Sequence, residues 1–200
     1  MKDIYLYDEI NVMKNKLNIK NNDDLEKAES GITAIKLLNI DEVISRTFDF
    51  EHLKAIHRYI FEDIYEWAGN PRVVNMLKYE EVLPGTDGVE YSDVTNIEKE
   101  SNWVINEINT FEWHKFSFDE MVENFAQKTA KLWQVHPFRE GNTRTTITFM
   151  AQFAEYKGFN FNRELLKENS VYLRTALVMA SIGEYSEFGY LTNILKDAMQ

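Results

Sequence analysis

His136-Pro137-Phe138-Arg139-Glu140-Gly141-Asn142-Thr143-Arg144 sets a base, a carboxylate, a tight turn and a cation side by side, just ahead of a helical pattern. The His136–Pro137 junction disfavours continued α-helix at His136, because the proline ring crowds the residue before it. Gly141-Asn142 permits the tight backbone of an anion-binding nest. Beyond it, Ile147, Met150, Ala151 and Ala154 keep helical spacing until Gly158. A helix starting here aims unpaired N–H groups and the positive end of its dipole at the loop. Arg144 in the first turn opposes that dipole, a conflict that an anion between the two removes.

Taken singly, each residue has a plain explanation beside the functional one. His136 suits a general base, since an imidazole titrates near pH ~6.5, yet a lone histidine is commonly a hydrogen-bonded structural group. Glu140 offers a hard oxygen to Mg²⁺, which takes one or two carboxylates with phosphate oxygens, yet most glutamates are solvated. Gly-Asn alone is a turn signal. His52, His57 and His114 read as structural, with His57 inside an apolar helix.

Upstream, Leu25, Ala28, Ile32, Ile35 and Leu38 form a helical stripe that Asp23 or Asp24 can cap. A second stripe, Leu53, Ile56, Ile60, Phe61, Ile64, Tyr65 and Ala68, starts after Asp49 and predicts a helix running to Gly69-Asn70-Pro71. From Pro71 to Asp93 the period changes: a short apolar run, Val73 to Leu77, precedes a turn-rich stretch through Pro84, Gly85 and Gly88 to Tyr91, which reads as a hairpin or flap. Helical spacing resumes at Ile97, Val104, Ile108 and Phe111, and Ser117-Phe118-Asp119-Glu120 has the form of a capping box ahead of Met121, Phe125 and Trp133. Two more helical patterns lie around Leu173, Ala176, Leu177 and Ala180 and around Phe188, Leu191, Leu195 and Ala198. The chain is expected to be all-α with one small hairpin. No repeat or low-complexity linker divides its 200 residues, and 44% hydrophobic content is enough for the core of one domain.

The net charge of −11 argues against a nucleic-acid partner, which needs clustered Lys and Arg. The absence of cysteine excludes disulfide and thiolate chemistry and fits a cytoplasmic setting. No signal-like apolar core opens the chain and no membrane-length run occurs, so no membrane association is expected. No P-loop pattern is present either.

Together, His136 to Arg144 resemble the Fic family motif, His-x-Phe-x-Asp/Glu-Gly-Asn-Gly/Lys-Arg. Phe50 to His57, Asp63 to Gly69 and Arg72-Val73-Val74-Asn75 look like the family's region ahead of its flap, so that the resemblance covers roughly residues 14 to 158. It implies a helical Fic fold with a flap, here one domain over 1–200 with its core at 50–158, an N-terminal helix over 23–40 as candidate inhibitory element, and C-terminal helices over 162–199. The activity implied is transfer of AMP from ATP to a Ser, Thr or Tyr hydroxyl of a target protein, with self-modification. By that carry-over His136 deprotonates the hydroxyl, Glu140 holds Mg²⁺, Gly141, Asn142 and Thr143 form the phosphate turn, Arg144 holds the β-phosphate and Phe138 anchors the loop. Flap residues Met76, Leu77, Lys78 and Tyr91 would dock an extended segment of the target by strand addition.

Two positions depart from the pattern. Thr143 stands where Gly or Lys is usual, and Ile147 stands where many members carry a second arginine for the γ-phosphate. That leaves donor preference open, with phosphoryl transfer or a catalytically weakened nucleotide- or protein-binding module as alternatives. Family members are commonly inhibited through a Ser/Thr-x-x-x-Glu-Gly/Asn helix. Ser30 to Ile35 keeps the Ser and the spacing, with Ala34 in place of Glu, which suggests a disarmed copy and leaves a separate antitoxin-like inhibitor as a further expected partner. Thr47–Glu51 and Thr86–Glu90 fit part of the pattern but belong to a helix start and to the flap.

Overall fold

A computed structural model describes residues 3–78, 80, 82 and 88–200. Helix α1 (Asn22–Val43) is capped by Asn21, whose side chain accepts the Asp24 N–H. The cap therefore lies just ahead of the expected Asp23 or Asp24, whose charges instead sit in the first turn where the dipole favours them. The buried face of α1 also differs from the expected stripe. It consists of Leu25, Glu29, Thr33 and Ile40, while Ile35 and Leu38 are 65% and 82% exposed. The reason is chemical: polar groups from elsewhere in the chain meet this face and require polar partners.

Helix α2 (Phe50–Phe61) begins at the Asp49 cap, which accepts the His52 N–H at 2.8 Å. It ends well before the expected Gly69. The N–H groups of Ile64 and Tyr65 both reach the Phe61 carbonyl at 2.9 Å, so successive turns preserve the apolar spacing without the helix. Ile64, Tyr65 and Ala68 are buried all the same. The hairpin is short: β1 (Leu77–Lys78) pairs antiparallel with β2 (Val89–Glu90), Leu77 opposite Glu90 and Lys78 opposite Val89. Of the apolar run from Val73, only Leu77 enters a strand. The turn expected at Pro84-Gly85 lies outside the described residues.

Helix α3 (Ile97–Thr110) leads to α4 (Phe118–Val135), which starts with the expected reciprocal Ser117–Glu120 capping box. Then come α5 (Asn142–Tyr156), α6 (Arg163–Glu168), α7 (Ser170–Met179) and α8 (Gly189–Met199). Helix α6 is too short to show a period of its own. Helix α5 packs against both α2 and α4; α1 covers α2, and α3 and α8 cover α4. Trp113, Phe125, Trp133, Phe149 and Phe153 fill the space between. The fold is the expected all-α arrangement with one hairpin. It puts the α4–α5 loop where the end of α2, the hairpin and α1 converge. No helix among the described residues is long and apolar enough to cross a membrane.

Candidate active site

Helix α4 stops because His136 turns left-handed (φ 51°, ψ 58°) directly before Pro137. Phe138 is fully buried and stacks on His57, ring centroids 3.9 Å apart, an anchor whose burial contributes about 2–3 kcal/mol. Asn142 closes the loop on itself: its Oδ1 accepts the Phe138 N–H at 2.9 Å and its Nδ2 donates to the Phe138 carbonyl at 2.7 Å. Its side chain is thus committed within the loop. Gly141 adopts φ +79°, and a Cβ there would lie 2.2 Å from Phe61 Cζ, so both conformation and space require glycine.

Two side chains that sequence reasoning read as structural or did not single out hold this loop. His57 accepts the Gly69 N–H at Nδ1 (2.8 Å), which assigns its proton to Nε2, the donor to the Glu140 carbonyl at 3.0 Å. Burial, reinforced by the nearby Arg144 charge, pushes the His57 pKa down to about 3 and keeps the ring neutral. Arg72 is buried, and its Nε donates to the His136 carbonyl at 2.9 Å, its Nη1 to Val74 O at 2.8 Å and its Nη2 to Ser92 O. Its backbone N–H reaches Pro137 O at 2.7 Å, so one residue ties both sides of the hairpin to the motif. Thr143 Oγ1 accepts from the Trp133 indole at 2.9 Å.

His136 is 2% exposed and lies under Tyr91, rings stacked at 3.8 Å. Among the described residues neither of its ring nitrogens has a hydrogen-bond partner, and neither does the Tyr91 hydroxyl. Unpaired buried polar atoms cost free energy, and where they persist they mark a place for a missing group. Burial, then the charges of Lys78 and Arg72, hold the His136 pKa well below the usual imidazole value. The ring is neutral and able to take a proton.

Next to it, Glu140 Oε1 accepts the Gly141 N–H at 3.1 Å and Oε2 lies 3.4 Å from Lys78 Nζ. Burial works against its charge. Lys78, the Gly141 N–H and Arg144 more than offset this and hold its pKa below the carboxylate norm. Among the described residues no group of three His, Asp or Glu converges as a metal cage. An ion on Glu140 would therefore draw its other ligands from water and a bound anion, the habit of Mg²⁺. No side chain caps α5, whose first N–H groups face the same region.

Arg144 meets α1. Its guanidinium pairs with Glu29, donates to Thr33 Oγ1 at 3.1 Å and lies over the Phe61 ring, while Tyr65 OH donates to the other Glu29 oxygen at 2.5 Å. Glu29 and Thr33 were not singled out from sequence, although polar residues at i and i+4 interrupting an otherwise apolar face were the available signal. Ser30 and Ala34 are exposed and are not among the groups meeting Arg144. Ile147 is partly buried against the core. In the flap, Leu77 is exposed and Met76 packs on the core. The structure thus brings His136, Glu140, the Gly141 turn, Arg144, Lys78 and Tyr91 together, with a base, a carboxylate and cations around one helix start.

The Fic/DOC family model matches residues 47–154. Protein adenylyltransferase VbhT of Bartonella schoenbuchensis is 32% identical over 188 residues, covering 92% of this chain but 36% of VbhT. The chain therefore spans only about a third of that relative. Probable protein adenylyltransferase y4lH of Sinorhizobium fredii is 28% identical, over 84% of this chain and 83% of its own length. The structure of BepC from Bartonella tribocorum with bound AMPPNP superposes with a TM-score of 0.77 at 23% identity, covering 97% of this chain and 95% of BepC. Motif spacing, fold and family match agree: the chain belongs to the Fic/DOC family.

Proposed function

We propose that the protein is an adenylyltransferase that moves AMP from ATP to a hydroxyl side chain of a target protein. The observation that carries this reading is His136, a buried, neutral imidazole with both nitrogens unpartnered among the described residues. A hydroxyl brought to that ring gives its proton to the imidazole, and its oxygen bonds to the α-phosphorus as the bond to the β-phosphate breaks and pyrophosphate leaves. The α5 N–H groups of the Gly141 turn face the α-phosphate, and Arg144 serves the β-phosphate. Mg²⁺ on Glu140 would add charge neutralisation at the phosphates. His136 is covered by Tyr91 at the end of β2, so docking of the target along the hairpin is the step that admits its hydroxyl. The relatives named as adenylyltransferases and the AMPPNP bound to BepC support the reading.

ATP labelled in the α-phosphate tests it. Label should enter protein, this chain included, and His136→Ala should abolish transfer. Transfer only from the γ-phosphate would mean phosphorylation, the alternative that Ile147 in the second-arginine position keeps open.

A further inference from the structure

With Ile147 where a second arginine is expected, the cations around the loop need an account. Arg72 is committed to backbone carbonyls, Arg174 to Glu80, and Arg144 to Glu29 and Thr33. Lys78 differs. Strand alternation turns Leu77 out to solvent, 62% exposed, and Lys78 inward, its side chain 23% exposed. Its ammonium reaches 3.4 Å from Glu140 Oε2, and among the described residues that carboxylate is its ionic partner. Glu140 is the group assigned above to a metal–nucleotide complex.

We propose that Lys78 is a nucleotide-binding residue: the flap lysine supplies the cation for the γ-phosphate that Ile147 lacks, beside Arg144 at the β-phosphate. Without nucleotide, Glu140 holds the ammonium. With the carboxylate given over to a metal–nucleotide complex, like-charge repulsion and the flexible four-carbon stem carry the ammonium to the phosphate oxygens. The proposal rests on the adenylyltransferase reading and adds a donor-specificity residue to it. It also couples nucleotide binding to the hairpin, because Lys78 pairs in register with Val89, two residues before Tyr91 on His136.

Lys78→Met keeps the length of the stem and removes the charge. Fluorescence titrations with mant-ATP and mant-AMP in Mg²⁺ should show affinity for mant-ATP falling about tenfold or more, affinity for mant-AMP changing less than about twofold, and Lys78→Arg restoring most of the loss. Unchanged or tighter mant-ATP binding overturns the proposal, the latter because it makes Lys78 a competitor of the metal for Glu140. An equal loss of both nucleotides overturns it as well, because the charge would then not act on the distal phosphates. The unaltered protein separates the two readings: if it binds neither mant-ATP nor mant-AMP, the adenylyltransferase reading fails and the proposal with it, whereas binding by the unaltered protein with no loss in Lys78→Met overturns the proposal alone.

Discussion

Glu29 in α1 pairs with Arg144 in the first turn of α5, joining residues far apart in sequence at the edge of the catalytic loop. The arrangement resolves the conflict of a cation at a helix N-terminus without a ligand, since Glu29 is the nearby anion. The same carboxylate accepts from Tyr65 OH, whose pKa is raised by burial and by the Glu29 charge. Arg144 therefore meets any phosphate with part of its charge already matched.

From this follows a pair of opposite effects. Glu29→Ala strips partners from Tyr65 and Arg144 and should lower unfolding free energy by about 2 kcal/mol in urea titrations. Glu29→Gln keeps an acceptor and removes the charge, so the stability loss should be smaller and mant-ATP affinity should rise about threefold to tenfold. Weaker binding in Glu29→Gln would instead make the carboxylate a positioning group for Arg144.

Ala34→Glu is the informative control. Ala34 is exposed and not among the residues that meet Arg144. A glutamate there should leave self-modification, followed by mass spectrometry, within about twofold of the unaltered chain, as surface changes usually do.

Gly141→Ala should be severe. The residue would adopt φ +79° and set a Cβ 2.2 Å from Phe61 Cζ, so strain and displacement of Phe61 add to about 3 kcal/mol. Phe61 also carries the Arg144 guanidinium on its face, so nucleotide affinity should fall along with the thermal midpoint.

The motif loop was legible because its chemistry is contiguous: His136, Glu140, Gly141 and Arg144 lie within one turn and one helix start. The capping box at Ser117 and the cap at Asp49 were legible for the same reason, being local hydrogen bonds between near neighbours. What escaped was built from distant segments. Glu29 reads as a solvated glutamate until α1 is laid across α2, and His57 as plain core until Gly69 and the Glu140 carbonyl close on its nitrogens. The end of α2 was hidden because turns after Phe61 imitate helical spacing. Ile35 and Leu38 misled the reading of α1 because apolar periodicity does not reveal which face carries partners for polar groups.

The buried histidines also set the response to acid. His52, His57 and His136 all have folded pKa values lowered chiefly by burial, so below pH ~6.5 the unfolded chain takes up protons that the folded chain refuses. Stability is complete above that pH and is lost as pH falls from it toward the folded values. For His57, with a folded value of about 3, the loss at pH 5 relative to pH 7.5 is about 2 kcal/mol. Urea titrations at the two pH values should show that drop, and His57→Gln should flatten the pH dependence while lowering stability at pH 7.5. Catalysis should respond differently. His136 stays in its base form to well below pH 6.5, so its protonation should not reduce kcat/KM between pH 7.5 and 6.5 while the protein remains folded. An acid limb near pH 6.5 that disappears in no stability assay would place the base in a more solvated environment than the one under Tyr91.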